Sequence, residues 1–528
     1  MLTQYINHFI NNIDQKKTMD QIQKVASSKE GTIAIATAVG LMASISLYNN
    51  TKKFDHGCPR VPDSSLIYGS TKEYRKDPEA FINKWQKELG DVYSAFLFGE
   101  EIVILSGTQV REVFMNNKLN FLAAVKRIFD NYLLTNSVFT LDGDAQKIAN
   151  LIKKYLNPNL KHFTPRVVEN LTLGFKEYVG DIPAEGKEFS NIYPMVQSMV
   201  AKASASVFVG TELAKNEQLI DSFKNMVLEV GSELSPKPLL ELFPRINRLR
   251  MWYIGKTSPK VRKHRQQLYD ALKPEIDRRL ENMRLNDSNW ERPEDILQAM
   301  IESKDRPEHV DIYVYCSENI TQLIFAALHT TSENSTIALY RILNHPGLID
   351  ELLEEQNEIL EMEGFDKSCG PEVFTREIVN KFVKLDSAIR ESLRVRNDYI
   401  TLPHVNISQE NVILSNGVII RPGDSVFINL TSNHYDPYIQ KTIDDLKAYN
   451  PLRFINAGKN ATKIGDDFLI FGLGPRSCPG RWFAVQEIKT IISYIIRRFE
   501  VVALDEIKFP TGDRYFLPTG KFKLIPRK

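Results

Sequence analysis

Uncharged residues run without a break from Gly31 to Thr51, between Glu30 and the Lys52-Lys53 pair. A stretch close to the ~20 residues that cross a bilayer predicts a single transmembrane helix over 31–51, after a polar tail over 1–30. A cleaved signal peptide or a buried core helix gives a similar pattern. The late start, the preceding tail and the lysines and prolines that follow favour a retained anchor. Two prolines in Cys58-Pro59-Arg60-Val61-Pro62 stop any helix and mark a hinge over 52–65. Over 66–528 apolar residues recur mostly at helical spacing, the longest such run extending from about Val310 to Asn344 and ending at His345-Pro346. A β-rich patch from Val412 to Leu430 carries the turn signals Asn416-Gly417 and Pro422-Gly423. Arg284 to Asp295 and Lys304 to Glu308 read as surface loops, and no internal repeat is evident. The body is therefore expected to be mainly α with a small β region.

Composition narrows the function classes. The 528 residues are 43% hydrophobic, enough for a large buried core. With 67 basic and 66 acidic side chains the net charge is +1, which gives no electrostatic footprint for nucleic acid. The charges beside the predicted anchor, Lys16, Lys17, Lys24 and Lys29 before it and Lys52, Lys53 and Arg60 after it, do not decide its orientation. Cys58, Cys316, Cys369 and Cys478 are scattered with no C-x-x-C pair, so neither a disulfide framework nor a zinc knuckle is indicated.

Phe471 to Gly480 reads F-G-L-G-P-R-S-C-P-G and precedes a helical pattern starting at Arg481, which places Cys478 at a helix entrance. Free backbone N–H groups and the positive end of the helix dipole favour a thiolate there, so a lowered thiol pKa and a metal-binding sulfur are expected. Gly474 and Gly480 let backbone approach a flat ligand, Arg476 offers a planar fork to an acidic group, and Phe471 packs beside the sulfur. A lone cysteine at a tight turn is ordinarily a small core residue. Five spaced positions together outweigh that reading.

The segment resembles the F-x-x-G-x-R-x-C-x-G signature of the cytochrome P-450 family at every fixed position. Upstream, Glu391-Ser392-Leu393-Arg394 and Pro451-Leu452-Arg453-Phe454 resemble the family's E-x-x-R helix and P-x-R-F meander. Phe325 to Ser332 (F-A-A-L-H-T-T-S) resembles its distal helix motif. The resemblance implies the cytochrome P-450 fold, a non-covalent b-type haem (iron protoporphyrin IX) and Cys478 as axial ligand of the iron. It further implies that Phe471, Gly474, Arg476, Gly480 and His404 bind the haem, Arg476 and His404 through its propionates. Glu391, Arg394 and Arg453 are expected to form a structural network, although an E-x-x-R pair alone is usually a solvated surface bridge.

Thr330 takes the position of the distal threonine, while Ala327 replaces the usual glycine and His329 stands where an acid is expected. His329 either relays protons to Thr330 or hydrogen-bonds within the core. The W-x-x-x-R or H-x-x-x-R helix is not clean. Gln146 and Asn150 fall nearest to it, and Lys153 and Lys154 are the available substitutes or a basic face for a reductase.

By the same resemblance the chain is similar to membrane-bound fungal enzymes, of the mucoralean type. This implies insertion of one oxygen atom of O2 into a lipophilic small molecule, a steroid or terpenoid. Electrons would come from NADPH through a separate diflavin NADPH-cytochrome P-450 reductase, with cytochrome b5 as a further partner, at an endoplasmic reticulum membrane with the body in the cytosol. Sterol 14-demethylation, xenobiotic oxidation, a haem-thiolate isomerase or peroxygenase, and a non-catalytic haem sensor are the alternatives. The distal threonine speaks against an isomerase or peroxygenase. The segment Asn120 to Gly143 lacks the tyrosine-rich pattern of a sterol demethylase.

Overall fold

The computed structural model describes residues 54–527 except 129–147, 235–239, 241–242, 286–289, 397–398, 443 and 511–516, together with Gly40 and Ser44. The anchor expected over 31–51 thus falls almost wholly outside the described residues. Among those described, no helix is long and apolar enough to cross a membrane.

The principal helices in chain order are α1 (Pro78–Leu89), α2 (Val110–Met115), α3 (Leu160–Val179), α4 (Tyr193–Phe208), α5 (Glu217–Leu234), α6 (Pro244–Thr257), α7 (Pro259–Leu285), α8 (Ile312–Leu343), α9 (Leu348–Met362), α10 (Val383–Arg394) and α11 (Arg481–Arg498). The mainly helical body expected from periodicity is present, and α8 spans nearly the predicted run. Asp311 opens α8 by accepting the backbone N–H groups of Tyr313 and Val314, and the helix stops before His345-Pro346, where proline cannot continue it. Helix α4 is buried along nearly its whole length, packed against α3 and α8. Helix α11 is buried from Val485 to Ile496 and also meets α8, so these elements share one core.

The β region comprises β1 (Val92–Leu97), β2 (Glu100–Leu105), β3 (Leu119–Asn120), β5 (Ile400–Asn406) and β8 (Ser425–Asn429) in one sheet of order β1-β2-β8-β5-β3. The β2–β8 pair is parallel and the others antiparallel. A small hairpin of β6 (Val412–Ile413) and β7 (Ile419–Ile420) turns at Gly417, whose φ of 86° suits glycine. A separate sheet joins β4 (Lys187–Phe189), β10 (Phe522–Pro526) and β9 (Phe499–Ala503).

The register of β5 against β8 shifts between Thr401 and His404, and Leu402 within the shift has a φ of 44°. This bulge turns His404 into the core, where it is buried.

Two segments differ from the sequence reading. Residues 59–61, placed in a hinge over 52–65, are docked on the sheet: Ser94 N–H donates to the Pro59 carbonyl and Val61 N–H to that of Ser94. Asp295, read as part of a surface loop, is buried and holds the buried Arg279 guanidinium through two bonds of 2.6 and 2.7 Å. A neighbouring polar run conceals such an anchor because its partner lies 16 residues away in the chain.

Candidate active site around Cys478

The loop before α11 is closed by the Cys478 N–H, which donates to the Phe471 carbonyl at 2.8 Å. Its tight path requires glycine at Gly474: φ is 70°, and a Cβ there would lie 2.7 Å from the sulfur of Met115 in α2. Gly480 is different, with φ of −87° and nothing within 4 Å of a Cβ. That open face would let a flat group approach the backbone. Arg481 donates to the Cys478 carbonyl at 2.9 Å, and Asn157 donates to the Pro479 carbonyl at 3.0 Å, so the cysteine is braced from both sides. Phe471 packs edge-on against Phe468 at 6.2 Å.

Burial raises the Cys478 thiol above its ordinary pKa, against the lowering contributed by the backbone N–H groups of Gly480 and Arg481, which point at the sulfur, and by the Arg481 charge. This corrects the expectation of a lowered pKa from the helix entrance alone. The two N–H groups are present, but surrounding protein costs the anion more than they return. A cation at the sulfur is what would make it a thiolate.

Arg476 is exposed and donates to three backbone carbonyls at the entrance to β3, those of Asn116 at 3.2 Å, Asn117 at 2.9 Å and Leu119, the first residue of the strand, at 2.7 Å. It locks the cysteine loop onto that segment. Nearby, the His404 ring lies edge-on to Phe114 at 5.0 Å and tilted against Phe121 at 5.8 Å. Its Nδ1 faces the Leu402 carbonyl at 2.8 Å. Burial pushes its pKa down to about 4, the Leu402 carbonyl opposing and the Arg476 charge assisting. The carbonyl can only accept, so Nδ1 carries the proton and a neutral His404 presents a lone pair at Nε2.

Glu391, Arg394 and Arg453 are brought together. Arg394 grips Glu391 with two bonds of 2.7 Å, Arg453 adds one of 3.1 Å, and the Asn450 N–H adds another of 3.1 Å. Glu391 and Arg394 are fully buried, so the reading of such a pair as a solvated surface bridge does not apply. Sequence reasoning missed His434. Its Nδ1 faces the Arg394 carbonyl at 2.9 Å, and its Nε2 accepts the Leu469 N–H at 3.0 Å. The network thereby extends to two residues before Phe471. Nothing in the local pattern Asn433-His434-Tyr435 signals this.

On α8, Ala326 and Thr330 are exposed on one face in the middle of an otherwise mostly buried helix. Thr330 donates its hydroxyl proton back to the Ala326 carbonyl at 2.9 Å, the i−4 bond open to any helical threonine. The His329 ring is held at both nitrogens, Nδ1 by the Tyr193 hydroxyl at 3.0 Å and Nε2 by the Glu333 carboxylate at 3.0 Å. No His329–Thr330 side-chain bond is among the described contacts. Lys153 reaches the Pro475 carbonyl at 3.4 Å, and Lys154 is exposed. Gln146 lies outside the described residues.

Comparison with known proteins identifies the family. The family model described as Cytochrome P450 matches residues 59–525. Among curated relatives, the chain is 25% identical over 509 residues to "Cytochrome P450 monooxygenase 151" of Postia placenta, covering 93% of this chain and 97% of that protein. It is 29% identical over 360 residues to "Cytochrome P450 monooxygenase ATR3" of Stachybotrys chlorohalonatus, covering 63% and 69%. To "Cytochrome P450 monooxygenase paxP" of Penicillium paxilli it is 26% identical over 413 residues, covering 76% and 75%. A cysteine loop of the family's form, braced by a buried acid–arginine network and matched by the family model over nearly the whole body, leads to one assignment: the chain belongs to the cytochrome P450 family of monooxygenases.

Proposed function

We propose that Cys478 is the axial ligand of a haem iron and that the protein hydroxylates a lipophilic small molecule, a steroid or terpenoid. It would draw electrons from NADPH through a separate diflavin reductase, with cytochrome b5 as a further donor. The observation that carries the reading is the cysteine loop: a sulfur faced by the backbone N–H groups of Gly480 and Arg481, beside a Gly480 with open space where a Cβ would be.

These residues fit the group that the family implies. Phe471, Gly474 and Gly480 would frame it, and the Arg476 guanidinium and the His404 ring would stand near its acidic edge. His404 could donate from Nε2 only as a cation, so a carboxylate there would have to raise its depressed pKa. The bound haem would supply oxygen activation and the oxidising power for C–H hydroxylation. This chain's residues would position substrate along α8, where Ala326 leaves room and the Thr330 hydroxyl offers a proton path. The uncharged stretch over 31–51 supports a membrane anchor, and the need for a reduced Cys478 supports placing the body in the cytosol, at the endoplasmic reticulum membrane.

A haem sensor with a protein side chain as second axial ligand is less well supported, because both nitrogens of His329 are already engaged.

The test is the carbon monoxide difference spectrum of the dithionite-reduced full chain. A far red-shifted Soret band in the wild type, lost in Cys478→Ala, is the expected result. A histidine-type band in folded wild-type protein would overturn the proposal.

A further inference from the structure

The two backbone N–H groups that point at the Cys478 sulfur each belong to a peptide whose carbonyl end is held. The Gly480–Arg481 peptide is fixed by the first turn of α11, where the Ala484 N–H donates to the Gly480 carbonyl at 2.9 Å. The Pro479–Gly480 peptide lies before that turn, and its carbonyl has a partner from 322 residues earlier: the Asn157 side chain, which donates from Nδ2 at 3.0 Å. Arg481 grips the Cys478 carbonyl in a similar way, but the peptide it holds leads into proline and has no N–H to aim.

Asn157 owes its place to an irregular helix end. The turn Ile152–Leu156 is a π turn, closed by the Asn157 N–H on the Ile152 carbonyl at 3.0 Å. Such turns are rare and frequently mark functional sites. The Pro479 carbonyl can only accept, so the amide nitrogen is the end that faces it. The other end, Oδ1, is buried with no hydrogen-bond partner among the described residues. The side chain thus carries an unpaired buried acceptor beside the one bond it donates, an arrangement that stability alone does not explain.

A planar trans peptide points its carbonyl and its N–H in opposite directions. A donor on the Pro479 carbonyl therefore keeps the Gly480 N–H aimed at the sulfur and polarises it into a stronger donor. A sulfur that accepts stronger hydrogen bonds gives less charge to a metal, and the reduced state of the metal gains.

Resting on the haem-thiolate reading above, we propose that Asn157 is a positioning residue that acts through the Pro479–Gly480 peptide to set the electron donation of Cys478, and with it how readily the haem iron accepts an electron. Asn157 touches neither the sulfur nor the substrate face of α8. Its effect reaches the iron from the cysteine side alone.

The experiment uses the full-length haem-loaded protein and two readouts. Asn157→Leu keeps the side chain's bulk and removes the donor. In a spectroelectrochemical titration its ferric–ferrous equilibrium moves about threefold toward the ferric form, a midpoint about 28 mV lower at about 59 mV per tenfold. Asn157→Gln, which carries an amide donor again, recovers most of that shift. The second readout follows the peptide itself by NMR of the carbon monoxide complex, with proline carbonyl carbons and glycine nitrogens labelled. The sequence holds three Pro-Gly pairs, Pro346-Gly347, Pro422-Gly423 and Pro479-Gly480, so three glycine amides report, and the one that broadens in the ferric protein is Gly480. Its proton moves upfield in Asn157→Leu while the other two stay. Asn157→Ser, whose hydroxyl falls short of the carbonyl, carries the same two expectations if the leucine variant does not retain haem. A brace with a purely structural role would lower the melting temperature and leave both readouts in place. An unmoved midpoint, or a midpoint that moves while the Gly480 resonance does not, would overturn the proposal. A wild-type protein without the thiolate band would instead overturn the reading on which it rests.

Discussion

His434 accepts the Leu469 N–H at its Nε2 while its Nδ1 faces the Arg394 carbonyl, so one buried ring joins the E-x-x-R helix to the strand of chain that leads into the cysteine loop. Both bonds require the neutral ring: the Arg394 carbonyl takes the proton on Nδ1, and the backbone N–H needs the lone pair on Nε2. Burial, with the Arg394 and Arg390 charges adding to it, pushes the pKa down to about 3.

A folded-state pKa below the ordinary value of 6.5 means that the unfolded chain binds the proton first. The stability contributed by His434 is therefore fully present above about pH 6.5 and is lost as pH falls toward 3. Thermal melts of wild type should decline through this window, and His434→Gln should be less stable at neutral pH by about 1–3 kcal/mol, with a shallower decline. A decline of unchanged steepness in the variant would count against the assignment.

The buried Glu391 accepts four hydrogen bonds, from Arg394, Arg453 and Asn450. Removing the acid in Glu391→Ala strands the Arg394 guanidinium away from water and should cost about 3–5 kcal/mol in denaturant unfolding. Arg453→Lys keeps a charge but loses the fork that also reaches the Asp445 carbonyl, and should cost less. Equal losses in the two variants would contradict the central place given to Glu391.

Gly474 and Gly480 flank the cysteine and should fail differently. Gly474→Ala must adopt a left-handed backbone and push against Met115, so its melting temperature should drop. Gly480→Ala meets nothing in the protein and should melt within about 0.5 kcal/mol of wild type. Its haem-to-protein ratio should nevertheless fall, as measured by pyridine haemochrome assay against protein concentration. Full haem content in Gly480→Ala would show that the face it opens is not the one the cofactor uses.

Glu487 is a fully buried acid on α11 that accepts a hydrogen bond from the Ser204 hydroxyl at 3.2 Å, and burial raises its pKa to about 8. The folded state thus holds a proton that the unfolded chain releases near pH 4.5. Its contribution to stability is fully present below that pH and is lost as pH rises through 8. Glu487→Gln, which mimics the protonated form, should flatten the alkaline decline of the melting temperature between pH 5 and about 9. An identical slope in both proteins would place the carboxylate's charge elsewhere.

The parts of the site that were legible in the sequence are those whose spacing is local. Phe471 to Gly480 forms one loop, Glu391 and Arg394 share one helical face, and the long apolar run of α8 needs no partner to be recognised. His434, Asn157, Glu333 and Tyr193 were not legible, because each takes its role from a neighbour brought close by packing rather than by chain order. The bulge at Leu402 was equally hidden: the pattern announces a strand there, but not the left-handed residue that turns His404 inward. The thiol pKa shows the same limit in energetic form. A helix entrance can be read from sequence, whereas the amount of protein packed around the sulfur cannot.

Arg476 holds carbonyls that lie 357 to 360 residues earlier in the chain. Setting the cysteine loop against segment 116–119 therefore requires closing a loop of more than 350 residues. A fragment beginning after residue 120 would retain every diagnostic motif of the family and still lack the wall against which the loop is set.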